Sequence, residues 1–88
     1  MHETKLWNVA VEIDEHDGKT RAIARLRTES AELTAVGLAR LSPNDRDVPE
    51  IGDELATARA LSELSHQLLD TAANDIEQVT HQPTHLHI

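Results

Sequence analysis

The chain contains no cysteine, no phenylalanine and no tyrosine, and Trp7 is its single aromatic residue. Without thiols, neither a disulfide framework nor a thiolate metal site can reinforce the fold, and the cysteine count gives no support to secretion. The core has to come from Leu, Val, Ile and many Ala, which favours close approach of a helix to a sheet over bulky aromatic packing. Nowhere do eighteen apolar residues run together, and the N-terminus has no apolar run leading to a small-residue cleavage site. The sequence therefore reads as a cytoplasmic protein with no membrane partner. Its 88 residues make a single domain, 1–88, and a chain this short buries only about 60–65% of the surface it exposes when unfolded. Dimerisation would be a natural supplement.

Positive charge is also scarce, with eight Lys and Arg against sixteen Asp and Glu for a formal net charge of −8. Residues 1–42 hold six of the basic residues against seven acids, whereas 43–88 hold two against nine. Four of the eight, Lys19, Arg21, Arg25 and Arg27, fall at odd positions of one predicted strand and share a face. Such a ladder in an acidic chain is a candidate contact for an anionic partner, with Arg40 as a fifth member.

Trp7, Val9, Val11 and Ile13 alternate with polar or small residues, which predicts a strand over 4–15. Asp17-Gly18 is the dipeptide preferred by a two-residue hairpin turn, because both positions need positive φ. Centring the turn there pairs Ile13 with Ala22, Val11 with Ala24 and Val9 with Leu26, so turn chemistry and apolar pattern select one register for a second strand over 19–28. A weaker turn at Glu29-Ser30 leads to a third strand over 31–42, setting Leu26 opposite Leu33, Ala24 opposite Ala35 and Ala22 opposite Gly37. The inner face thus narrows to small side chains.

Ser42 to Gly52, with Pro43 and Pro49, reads as an ordered loop. A helical region over 52–80 follows, with Ile51, Leu55, Ala58, Leu61, Leu64, Leu68, Ala72, Ile76 and Val79 as the apolar stripe expected to cover the sheet. Capping residues around Asn74 predict a break near 70–74. Residues 81–88 read as a flexible tail. The fold class is α+β: a three-stranded antiparallel meander followed by a long C-terminal helix on one sheet face.

On the opposite face, Arg21 should meet Asp14 and Arg27 should meet Glu32. Arg25, between Ala10 and Thr34 with no acid directly opposite, is expected to be the least compensated cation. Ile23, Val36 and Leu38 share this outward parity, and such a cluster is a candidate face for a second subunit or a partner. The histidines at 81, 85 and 87 are unaccompanied by acids or thiols, and no metal or cofactor is expected. His16 beside Asp17 is explained by the turn. With no nucleophile motif, phosphate loop or buried acid pair, no catalytic residue is expected and the chain reads as a non-enzyme.

The segments TRAIARL, VGLARLSPNDRDVPEIGDELATARALSEL and DIEQVTHQP resemble the actinobacterial family catalogued as domain of unknown function 1876, over residues 5–83. The resemblance implies a double-stranded-RNA-binding-domain-like fold, homodimers, and a likeness to ribosome hibernation promoting factors. It therefore implies a dormancy or stress role restraining translation at the ribosome or its RNA. Domains that bind RNA duplexes carry a basic cluster where the C-terminal helix begins, yet this chain has Glu50, Asp53 and Glu54 there. Duplex binding in that mode is not expected, nor is DNA binding. The alternative is a homodimeric protein–protein adaptor without nucleic acid.

Overall fold

The computed structural model describes residues 3–40 and 48–87. Three antiparallel strands, β1 (Val9–His16), β2 (Lys19–Arg27) and β3 (Glu32–Arg40), form a sheet in the order β1-β2-β3, and one helix, α1 (Pro49–Thr80), follows. Both registers are those expected: Ile13 faces Ala22, Val9 faces Leu26, Ala22 faces Gly37 and Arg27 faces Glu32. Asp17 and Gly18 take φ of 51° and 71°, the two positive values a type I′ turn requires. The second turn is closed differently. The Thr28 hydroxyl accepts from the amides of Ser30 and Ala31 at 3.3 and 3.1 Å, while the Thr28 amide donates to the Ala31 carbonyl at 2.8 Å.

That turn also explains why β1 is shorter than 4–15. In this register residues 4–7 would need strand partners at 28–31, which are taken up by the Thr28 turn. β3 likewise ends at Arg40 in the described part of the chain, and the rest of the expected loop, 41–47, lies outside the described residues. The loop expectation fails at its far end, because Pro49 opens the helix and places Gly52 inside it. Proline suits the first helical position, where its missing N–H has no partner to lose.

The expected break near 70–74 does not occur, and α1 runs 32 residues without interruption. Thr71 explains part of this, since its hydroxyl bonds back to the Gln67 carbonyl at 3.0 Å within the helix instead of capping a new one. The helix ends at His81, whose left-handed backbone (φ 60°) lets its amide donate to the Glu77 carbonyl at 2.7 Å. The following segment is not wholly loose: the Thr84 amide donates to a Glu77 carboxylate oxygen at 2.9 Å.

The core is small-residue packing. Ala22, Ala24, Ala35 and Ala39 of the sheet are buried under Ala56, Ala60 and Leu64 of α1, with Leu26 at one end. At Gly37 the contact is backbone to backbone, since a Cβ there would fall onto the Ala56 carbonyl oxygen and the Ala60 amide nitrogen. The anticipated helix stripe therefore meets the sheet only in part, through Leu64 and, at the margin of the core, Leu68. Ile51, Leu55 and Leu61 remain 54, 45 and 40% exposed, and of that stripe only Leu64 is buried. A floor of alanine and glycine admits the helix's smallest face, because close approach gives more contact than propping the helix on leucines.

Candidate functional site

Every side chain of the anticipated cationic ladder stands on the face opposite α1, as the register requires. Arg21 Nη2 lies 2.8 Å from Asp14 Oδ2 and Arg27 Nη2 lies 3.1 Å from Glu32 Oε1. Arg25 corrects the sequence reading: it is compensated, with Nη1 2.7 Å from Glu12 Oε1. Glu12 faces Ile23 directly and so stands diagonal to Arg25. A diagonal separation of about 7–8 Å is within reach of two long side chains. Arg21, Arg25 and Arg27 thus each spend a guanidinium nitrogen on an acid of their own chain.

Lys19 and Arg40 face each other across β2 and β3, at the end of the sheet beside the Asp17-Gly18 turn, and neither forms an ion pair among the described residues. The apolar members of this face are brought together as expected: Ile23 pairs with Val36, and Leu38 stands beside Arg21. Val36 is 47% and Leu38 61% exposed, while Ile23 is half-buried between its neighbours. The cluster is small and lies among charges.

His16 Nε2 and Asp17 Oδ2 are 3.1 Å apart, and both side chains are almost fully exposed on the turn. No group of three or more His, Asp or Glu close enough to hold a metal ion occurs among the described residues. Near the open end of the sheet, Lys5, Leu6 and Trp7 border a shallow hollow with Arg27, Thr28, Glu29 and Ser30.

A second surface escaped the sequence reading. α1 packs on β3 and β2 and scarcely touches β1. On the helix side of β1, Val9 and Ile13 are 41 and 44% exposed, and Val11 is only partly buried at the margin of the core. The orientation of α1 is marked by two bonds to β3, one of the two edge strands: Arg59 Nη1 donates to the Leu38 carbonyl at 2.7 Å and Gln67 Nε2 to the Thr34 carbonyl at 3.0 Å. At about 100° per residue, Leu61 and Leu68 then stand on the opposite flank, toward β1. Leu68 and Val11 accordingly border the same core. The signal that could have found this surface is arithmetic: a helix about 10 Å wide covers two strands spaced about 4.8 Å apart, not three.

The chain matches the family model described as Rv2632c-like over residues 5–85. It is 59% identical over 85 residues to the uncharacterized protein Mb1767 of Mycobacterium bovis, covering 97% of this chain and 90% of that protein. To the uncharacterized protein Rv2632c of Mycobacterium tuberculosis it is 53% identical over 87 residues, covering 98% and 94%. The crystal structure of Rv2632c superposes with a TM-score of 0.85 at 52% identity, over 93% of this chain and 98% of that one. These relatives' names carry no enzyme activity.

Proposed function

The chain belongs to the Rv2632c-like family, and for it we propose a non-catalytic, cytoplasmic protein–protein adaptor that self-associates through the outer face of its sheet. The observation that carries this reading is the internal pairing of Arg21, Arg25 and Arg27 with Asp14, Glu12 and Glu32. Their charge is largely spent within the chain, and Val36 and Leu38 are the uncompensated feature between them. A face carrying both signs beside an apolar centre is self-complementary, as a two-fold dimer requires. The same reading takes up the likeness to domain of unknown function 1876 and to double-stranded-RNA-binding folds, for shape alone. Sedimentation equilibrium tests it. The wild type should dimerise and Val36→Asp should be a monomer, whereas Arg21→Glu with Arg25→Glu should change little. A monomeric wild type, or an unaltered Val36→Asp dimer, overturns it.

A second reading, a dormancy or stress factor associated with the ribosome and its RNA, has one observation in its favour. Lys19 and Arg40 stand directly opposite each other, and like charges so placed favour an anion between them. Cosedimentation with ribosomes should then weaken with Lys19→Glu plus Arg40→Glu and with added salt, as counterion release demands. Cosedimentation indifferent to both would remove it.

A further inference from the structure

The bare helix-side face of β1 is exposed for a geometric reason, and that reason restricts what can cover it. Val9, Val11 and Ile13 point away from the sheet plane, on the side of α1. A strand added at the edge of β1 would lengthen the sheet and leave these side chains uncovered, because they stand perpendicular to it. Only an element lying in the helix layer, alongside α1, can bury them. The wall it would meet is built for a helix: Ala58, Leu61, Ser65, Leu68 and Ala72 recur at spacings of three and four, small residues alternating with leucines, the pattern that lets two helices approach closely.

Charge selects the occupant. The same three-and-four series continues to Glu54 at one end and Asp75 at the other, and Glu15 follows Ile13 with the same parity on β1. No Lys or Arg belongs to this wall series or to β1. A second copy would bring its own Glu54 and Asp75 and another net charge of −8, which weighs against self-occupancy.

We infer that the groove between β1 and α1 is a docking site for an amphipathic α-helix of another protein, apolar on the face it buries and carrying Lys or Arg toward both ends. The span from Glu54 to Asp75 corresponds to a partner helix of about 20 residues. This surface lies on the opposite side of the sheet from Ile23, Val36 and Leu38, so the two associations are separable.

The probe is a synthetic helical peptide of about 20 residues with a Leu/Ala stripe and lysines elsewhere. Its controls are the same composition shuffled to destroy the stripe and the version with Glu for Lys. Fluorescence anisotropy of labelled peptide against the full chain should show the striped lysine peptide binding at least roughly tenfold tighter than either control. Leu61→Asp and Ile13→Asp, both at exposed positions and checked for native circular dichroism, should each weaken it at least roughly tenfold, with Val36→Asp without effect. Equal binding of the shuffled peptide would show charge attraction alone and overturn the inference, as would binding indifferent to both groove variants. A wild-type dimer turned monomeric by Leu61→Asp would assign the groove to a second copy and overturn it as well.

Discussion

Gly37 is where one missing carbon decides the architecture. Its Cβ would fall onto the Ala56 carbonyl oxygen and the Ala60 amide, backbone atoms that cannot yield as a side chain can. Gly37→Ala should therefore push α1 off the sheet and cost about 3 kcal/mol, read as a lower urea midpoint with an unchanged m-value. Thr57 presents the reverse case. Its Oγ1 is buried without a hydrogen-bond partner among the described residues, whereas Thr71 in the same helix bonds the Gln67 carbonyl. A methyl in place of the orphan hydroxyl keeps the shape and removes the unmet bond, so Thr57→Val should stabilise by about 1 kcal/mol in the same titration.

At the scale of elements, β3 is an edge strand whose carbonyls are exposed to pairing with other chains. Arg59 and Gln67 reach down from α1 and occupy the Leu38 and Thr34 carbonyls. Removing both should cost little stability, about 1 kcal/mol per lost bond, but should uncover the edge. Arg59→Ala with Gln67→Ala is expected to raise light scattering on prolonged incubation, more than either single change does. The helix itself outruns its support. Thirty-two residues extend about 48 Å, against about 30 Å for the nine-residue strands β2 and β3. Its last turns project past the sheet, which leaves Ile76 and Val79 at 38 and 80% exposure.

For the whole molecule, the net charge of −8 gives every association a sign. Two copies meeting through Val36 and Leu38 repel at long range, and added salt screens that repulsion across a Debye length of about 10 Å at 0.1 M. Self-association should strengthen as sodium chloride rises, a trend sedimentation equilibrium can follow at several ionic strengths. A contact with ribosomal RNA would weaken over the same range. The three exposed ion pairs of the outer face contribute only about 0–1 kcal/mol each, so folding stability should move little while the assembly responds.

What the sequence by itself determined was whatever rests on neighbours along the chain or on a period of two. Asp17-Gly18 set the first turn and, with the apolar alternation, its register; the alternation set which faces β2 and β3 share, and Gly37 with its alanines foretold a close helix. The tertiary structure alone decided which side of α1 meets the sheet, that Arg25 reaches Glu12 on a diagonal, and that β1 stays uncovered. Each of these depends on where a helix about 10 Å wide comes to rest across three strands, a lateral choice made by packing between distant segments. An apolar stripe states that a helix has a face to bury. It does not state that Ala56 and Ala60 will take the sheet and leave Leu61 for something else.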